Sequence, residues 1–269
     1  MSIITISRGS FSRGETVATK VAAKLGYECI GRDVLLEASK EFNIPGVKLV
    51  RAIHDAPSIL DRFTYGKEKY IAYIQAAILK HLQSDNVVYH GLAGHFFIRN
   101  ISHALKIRII ADMEDRIRNE MEREGISRKE ALRILKNDDE ERRKWSKHLY
   151  GIDTWDPSLY DLVIHIGRIT VDDAVGIIAN TVQLPQFQTT PTSQRTLKDL
   201  ALAAEVKAAL VGQQPDVEVS AREGIVNVNI KAAESQESAL MRETEKIAKG
   251  IPGVKEVKFK VRSIAPYTD

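Results

Sequence analysis

The sequence has one cysteine, almost no net charge and no long apolar run. Because Cys29 is the only cysteine in 269 residues, an internal disulfide and a cysteine metal cluster are excluded. The formal net charge of +3 is too small to argue for a nucleic-acid partner. No apolar stretch approaches the roughly 18–20 residues that a membrane span needs, and the chain enters a predicted strand without a signal-peptide pattern. We expect a cytoplasmic protein with no membrane span.

The first 25 residues hold the most informative pattern in the chain. A β-branched run over residues 3–6 predicts a buried strand, and residues 16–25 have helical spacing. The glycine- and serine-containing turn between them is typical of phosphate binding, because backbone N–H groups and a helix N-terminus bind anions. The candidate phosphate-binding residues are Gly9, Ser10, Phe11, Ser12, Arg13, Gly14, Glu15 and Thr16.

The spacing Gly9-x-x-x-x-Gly14-x-Thr16 fits the phosphate-loop pattern except at one position. Glu15 stands where that pattern has lysine, and Arg13 is the candidate replacement for the missing cation. A plain strand-to-helix connection is the alternative interpretation of this turn.

Predicted strands and helices alternate along the rest of residues 1–184, which favours an α/β fold with a parallel sheet and helices on both faces. Residues 185–195 have the composition of a linker. Residues 196–269 then predict a small α+β domain, with a hairpin between two helices and a last strand.

A cationic cluster follows an acidic run in a long predicted helix. Arg142, Arg143, Lys144 and Lys147 come after residues 138–141, which are all acidic, and Gly151 ends the helix. Phosphoryl transfer needs cations around the transferred group, so this segment is a candidate lid. A solvated helix face is the alternative.

Several other residues carry two interpretations each. Arg32 and Asp33 follow a predicted strand and either bind a substrate or cap the next helix. His90 and His95 are too few for a metal site, so we expect them to be satisfied or solvated. The two tryptophans near the candidate lid, at positions 145 and 155, either stack on a base or pack beneath the lid.

Residues 1–183 resemble the cytidylate kinase-like branch of the P-loop nucleoside-monophosphate kinases. The resemblance rests on the order of five segments: the opening Ile-Thr-Ile-Ser-Arg, Arg32-Asp33, Met-Glu-Arg-Glu-Gly-Ile-Ser at 121–127, the lid-like Asp139, Arg142, Lys147 and Gly151, and Asp-Pro-Ser-Leu-Tyr-Asp-Leu at 156–162. It implies a three-layer P-loop fold that binds a nucleoside triphosphate and a monophosphate beneath a closing lid, with Mg²⁺ as the bridging ion.

The sequence departs from this branch at two places. Members commonly have Gly-Ser-Gly-Gly-Arg-Glu in the loop, where this chain has Phe-Ser-Arg-Gly-Glu-Thr at 11–16. We therefore expect Phe11 and Arg13 to add side chains where phosphate approaches, and Glu15 to bring an uncompensated negative charge. The family's Gly-Arg with a nearby Asp becomes Gly91-Leu92 with His95.

Residues 197–263 resemble a BON domain, a small module proposed to bind phospholipid or other ligands, and they end in the suggestive Gly253-Val254-x-x-Val257. The basic side chains of its last strand either contact an acidic partner or protect an edge strand. The resemblance leaves its ligand or protein partner unnamed, and homo-oligomerisation stays open.

We hypothesise a phosphotransferase that uses ATP with Mg²⁺ and phosphorylates CMP or a related small acceptor. Its proposed catalytic residues are Arg13, Asp139, Arg142 and Lys147, its acceptor-binding residues are Arg32, Asp33 and Gly91, and Thr16, or alternatively Ser12, faces the metal. The alternative is a weakly active or inactive nucleotide sensor that signals through the BON-like domain.

Overall fold

The structure, a computed structural model, describes residues 2–31, 34, 66–91 and 93–263. The chain divides into two compact units, which are described separately below. The first comprises Met1–Leu60 and Ser84–Thr190, and the second comprises Asp61–Gln83 and Pro191–Asp269. The irregular helical excursion that the sequence predicts over residues 43–65 lies outside the described residues.

The described elements alternate as the sequence predicts. In chain order the strands are β1 (Ile3–Arg8), β2 (Glu28–Ile30), β3 (Val87–His90), β4 (Ala104–Ala111), β5 (Leu162–Ile166), β6 (Glu218–Arg222), β7 (Ile225–Ala232) and β8 (Glu256–Ser263). The helices are α1 (Gly14–Leu25), α2 (Gly66–Leu82), α3 (Gly94–Phe97), α4 (Met113–Glu124), α5 (Arg128–Tyr150), α6 (Val171–Thr181), α7 (Pro191–Leu210) and α8 (Glu237–Lys249).

The first unit is built on a parallel sheet whose described strands have the order β2-β3-β1-β4-β5. β1 lies in the middle of this order, and its residues 3–7 are buried on both faces, as is usual for parallel strands covered on both sides. Ile4 and Ile6 point to the face covered by α1 and α6, where Val17 and Ile178 are fully buried. The predicted α/β architecture is confirmed for this unit.

The opposite face of the sheet carries polar side chains. Thr5 and Ser7 are buried there, and the short helix α3 approaches β1 from this side, so that a Cβ on Gly94 would lie 3.6 Å from Thr5 Cγ2. Since consecutive strand residues point to opposite faces, β1 separates an apolar core from this polar side.

The second unit contains α2, α7, α8 and an antiparallel β6–β7 hairpin to which β8 adds in parallel. The predicted order of helix, hairpin, helix and strand is confirmed. The helix α7 begins at Pro191, within the residues 185–195 that have linker composition, because proline is favoured at the first position of a helix. Among the described helices, none has both the length and the apolar content that crossing a bilayer requires.

Gly94 is required by close packing against Tyr89. A Cβ at position 94 would lie 2.4 Å from Tyr89 Cδ1, and Tyr89 is 2% exposed. Gly94→Ala should therefore lower the free energy of unfolding by about 1–3 kcal/mol, because the buried ring has little room to move. The matched control is Gly176→Ala in α6, where a Cβ meets nothing within 4 Å. We expect it to raise stability by up to about 1 kcal/mol.

Chemical unfolding of both variants at one pH measures these changes. Equal effects of the two substitutions would contradict the packing argument, because helix propensity alone would then explain them.

Candidate functional site

The predicted phosphate loop leaves the C-terminal end of β1 and leads into α1. In open parallel sheets, ligands bind at this edge, next to the strand where the order reverses. Gly9 N–H bonds Ile109 O at 3.1 Å, which ties the start of the loop to β4. The first turn of α1 supplies N–H groups without helical acceptors, and the positive end of the helix dipole favours an anion there.

Two non-glycine residues of the loop have left-handed backbone conformations. Phe11 has φ 56° and Arg13 has φ 62°. These are the two positions at which the family pattern Gly-Ser-Gly-Gly-Arg-Glu has its first and second glycines, so the turn keeps a glycine-like conformation without those glycines. Each such residue costs on the order of 1–2 kcal/mol and persists only where its surroundings hold it in place.

The loop is held internally by Ser12 and Gly14. The buried Ser12 hydroxyl lies 2.9 Å from Gly9 O and 3.0 Å from Ile109 O, so its proton bonds backbone carbonyls of the loop and of β4. A Cβ on Gly14 would lie 2.7 Å from Arg8 Cβ, so only glycine fits beneath that side chain. The Ser12 hydroxyl therefore stabilises the loop. The alternative hypothesis from the sequence was that this hydroxyl faces Mg²⁺.

Phe11 and Arg13 both have partners on α4. The Arg123 guanidinium lies 4.1 Å from the centre of the Phe11 ring, which packs on a small apolar cluster that includes Ile117. Arg13 Nη2 donates to Asn119 Oδ1 at 3.2 Å. Both side chains are therefore engaged with the neighbouring helix, and the expectation that they lie where phosphate approaches stays a prediction.

The charge of Glu15 is balanced within the site. Arg8 Nη1 donates to Glu15 Oε2 at 3.0 Å, with the Arg8 side chain 20% and the Glu15 side chain 61% exposed. The expectation of an uncompensated carboxylate is therefore wrong. Because one partner is exposed, we expect this pair to add at most about 1 kcal/mol to stability; its effect at the site is to reduce the local negative charge.

Asp139 bonds directly to the phosphate loop. Its Oδ1 accepts from Ser10 N–H at 3.0 Å, and its Oδ2 accepts from Arg116 Nη2 at 2.7 Å. Arg116 Nε in turn donates to Ser10 O at 2.6 Å. Asp139 belongs to the candidate lid helix α5, so this helix is connected to the loop through Ser10.

The candidate lid is one continuous helix, α5, which ends at Gly151 as the sequence predicts. Two of its cations bind one carboxylate beyond that end: Arg143 donates from Nε and Nη2 to Asp153 at 2.7–3.1 Å, and Lys147 Nζ lies 3.1 Å from Asp153 Oδ2. Arg142 is half-buried and has partners within the protein.

The two tryptophans near the lid have different environments. Trp145 is buried at 2% exposure and meets Tyr150 edge to face, with 5.3 Å between ring centres. It therefore packs on the buried side of α5, the helix to which it belongs. Trp155 is 51% exposed, and the Arg143 guanidinium lies 4.6 Å from its ring centre. Arg143 covers one face of the Trp155 ring, so a base could stack only on the solvent-exposed part of this side chain.

On the predicted acceptor side, the structure describes Gly91 but not Arg32 or Asp33, which lie outside the described residues. A Cβ on Gly91 would lie 2.6 Å from the hydroxyl oxygen of Tyr89, so Gly91 is needed for close packing. This packing explains the glycine without reference to a ligand.

His95 lies on the polar side of the sheet and bonds Tyr160. Its Nε2 lies 3.2 Å from the Tyr160 hydroxyl, which donates to Thr154 O at 2.9 Å. Burial and the positive charge of Arg108 lower the pKa of His95 to about 3, so the ring is neutral at neutral pH. The expectation of a satisfied histidine is confirmed at His95, and it takes no charged role.

The described residues include no group of three or more histidine, cysteine, aspartate or glutamate side chains that could hold a metal ion. A magnesium ion in a kinase is held mostly by substrate phosphates and water, with one or two protein ligands. Thr16, which is exposed in the first turn of α1, has the position and the hydroxyl oxygen for one such ligand. The residues present therefore fit Mg²⁺ bound together with a nucleotide.

The sequence interpretation missed Arg116, Arg8 and Asn119. Arg116 is 7% exposed although it lies in a highly charged helix. A signal was available: Arg116 shares the buried stripe of α4 with Ile117 and Glu120, and a charged residue at an apolar helical position usually has a specific partner.

A parallel sheet of this order, with a phosphate-loop spacing after β1 and helices on both faces, defines a P-loop kinase-like fold. The family model described as "Cytidylate kinase-like family" matches residues 3–168. The chain belongs to this family, and with it to the kinase-like phosphotransferases.

Curated relatives support this assignment. The cytidylate kinase of Archaeoglobus fulgidus is 30% identical over 190 residues, which cover 69% of this chain and 97% of the relative. That of Pyrococcus horikoshii is 33% identical over 177 residues, 65% of this chain and 85% of the relative. A crystal structure of an uncharacterized protein from Eubacterium ventriosum shares the fold, with a TM-score of 0.53, 22% identity and coverage of 68% of this chain and 98% of that one.

The ion pairs of Asp153 predict a pH-dependent contribution to stability. Hydrogen bonds from Arg143 hold the pKa of Asp153 well below its usual range. A depressed pKa stabilises the folded state above the unfolded carboxyl pKa of about 3.9, and this stabilisation is lost as pH falls further. We therefore expect Asp153→Asn to lower stability at pH 7 and at pH 5, with the difference from the parent shrinking below about pH 4.

Urea unfolding at pH 7, 5 and 3 measures this difference. Asp172→Asn is the control, because it removes an exposed carboxylate that pairs with Lys20 and should change stability little. A difference at Asp153 that is as large at pH 3 as at pH 7 would contradict the prediction.

Proposed function

We propose that the protein transfers a phosphoryl group from ATP to CMP or a related small acceptor. The observation that carries the proposal is the phosphate loop, which keeps a glycine-like backbone at the C-terminal end of β1 in a chain of the cytidylate kinase-like family. Backbone amides and a helix N-terminus next to such a turn can bind an anion, which supports the proposal because phosphoryl transfer depends on charged and polar groups around the phosphate.

On the donor side, the N–H groups of Gly9, Ser10 and Ser12 are bonded to Ile109 O, Asp139 Oδ1 and Gly9 O. The amides of the first turn of α1 are therefore the candidate groups for the donor phosphates. Arg13 is the candidate cation in place of the lysine, since its exposed guanidinium donates a neutral hydrogen bond to Asn119, which an anion can displace. Mg²⁺ supplies positive charge between the phosphates when it is bound, and Thr16 is its candidate protein ligand.

Arg142 and Lys147 are the candidate cations for the transferring group. Lys147 is paired with Asp153, whose carboxylate Arg143 also binds through two nitrogens. Since Arg143 alone neutralises Asp153, Lys147 can turn towards a phosphate without leaving a carboxylate unpaired. Gly91, together with Arg32 and Asp33, is proposed to lie beside the acceptor.

The second unit is proposed to be a BON-like domain that binds a ligand or a protein partner of the kinase unit. Its support is the element order of α7, the β6–β7 hairpin, α8 and β8, which is the order on which the sequence resemblance rests.

The first test is a phosphoryl-transfer assay of the full chain with ATP, Mg²⁺ and a panel of acceptors that includes CMP, dCMP, UMP and AMP. We expect ADP formation that depends on the acceptor, with CMP among the best. Calorimetric titration with ATP runs in parallel. Saturable ATP binding without transfer to any acceptor would overturn the enzyme proposal and favour a nucleotide sensor, and a gain of activity in Glu15→Lys would then identify the loop as the cause.

A second test concerns the lid. Arg142→Gln should lower kcat by about a hundredfold or more, because a cation that stabilises transition-state charge is removed, while binding of ATP changes little. The matched control is Lys144→Gln on the same helix, which removes an exposed cation that lies 3.8–3.9 Å from Glu140 and Glu141. Similar kcat values for Arg142→Gln and the control would rule out the proposed role of Arg142.

A further inference from the structure

One partly buried ion pair binds both backbone polar groups of Ser10, its N–H and its carbonyl. Its N–H donates to Asp139 Oδ1 at 3.0 Å, and its carbonyl accepts from Arg116 Nε at 2.6 Å. Arg116 Nη2 and Asp139 Oδ2 lie 2.7 Å apart, so that Ser10, Arg116 and Asp139 form a closed ring of hydrogen bonds. Both bonds to the backbone of Ser10 are therefore charge-assisted, which makes them stronger than ordinary backbone hydrogen bonds.

The pair is shielded from water. The side chain of Arg116 is 8% exposed and that of Asp139 is 17% exposed. Removing one partner from such a site leaves the other with an uncompensated charge, so the pair is costly to break. Exposed ion pairs between the same two helices do not share this property: Glu114 and Arg128 connect α4 and α5 with side chains that are 67% and 60% exposed.

The backbone of the loop is strained and must be stabilised by surrounding contacts. The residue after Ser10 is Phe11, the first of the two non-glycine residues with left-handed backbones. Strained conformations persist only when the surrounding contacts over-determine them. The bonds to Ser10 fix the backbone immediately before the strained residue Phe11. The side chains of Phe11 and Arg13 then fix the following part of the loop through their contacts with α4.

We propose that Arg116 and Asp139 are positioning residues that hold the phosphate loop in its phosphate-binding shape, although Phe11 and Arg13 stand where the family pattern has glycines. The inference rests on the proposed function and reassigns Asp139 from a catalytic residue to one that acts through Ser10. It also connects the loop to α5, so that any lid closure proceeds with the loop attached at Asp139.

The test compares Asp139→Ala, Asp139→Asn and Glu114→Gln in the full chain. Hydrogen–deuterium exchange over residues 8–17 measures how rigidly the loop is held. KM for ATP and KM for CMP measure how the loop affects binding of each substrate. We expect Asp139→Ala to accelerate exchange in this segment and to raise KM for ATP about tenfold or more. KM for CMP should change by less than about twofold, because the acceptor does not depend on the loop amides.

Asp139→Asn keeps an oxygen for Ser10 N–H but loses the charge, so its effects on exchange and KM should be intermediate. It also serves if the alanine variant fails to fold. Glu114→Gln should leave both readouts at parent values, because it opens a contact between α4 and α5 that does not reach the loop.

Parent-like exchange over residues 8–17 in both Asp139 variants would overturn the proposal. So would an equal rise of KM for ATP and CMP, since a general loss of structure affects both substrates. If the parent shows no transfer and no ATP binding, the proposed function fails, but the exchange comparison still decides whether Asp139 holds the loop.

Discussion

The site depends on one constraint: a turn that binds phosphate with its backbone must keep that backbone in a conformation that most residues avoid. Glycine meets the constraint at little cost in the folded state. This chain has Phe11 and Arg13 at two such positions, and the conformation is held from outside the turn. The partly buried pair of Arg116 and Asp139, the Ser12 hydroxyl and the contacts with α4 all hold the turn from outside. The geometry of the loop is thus a property of the tertiary structure.

The charges of the site also depend on residues outside the turn. Where the phosphate-loop pattern has a lysine, the chain has Glu15, and Arg8 pairs with it from the end of β1. The cations proposed for the site come from other positions, from Arg13 in the loop and from Arg142 and Lys147 in α5. A positive environment for phosphate can therefore be assembled from separate elements, provided that the negative side chain nearest the loop is neutralised.

Sequence periodicity was sufficient for the elements but not for the contacts among them. The buried strand of residues 3–6 and the glycine that ends α5 follow from local rules, and the structure has both of them. The partner of Asp139 could not be found this way, because Ser10 lies 129 positions away and is joined to it only by the folded chain. The left-handed conformations of Phe11 and Arg13 also escaped, since local preference opposes them and tertiary contacts decide.

The pairing of Arg143 and Lys147 with Asp153 has a consequence for which ligands the α5 segment will accept. A ligand that recruits Lys147 must compete with an internal carboxylate for the ammonium group. A doubly charged phosphate monoester competes well, whereas a singly charged diester or a carboxylic acid offers no more than Asp153 already does. If Lys147 binds the transferring group as proposed, its pairing with Asp153 would thereby favour phosphate monoesters over singly charged anions.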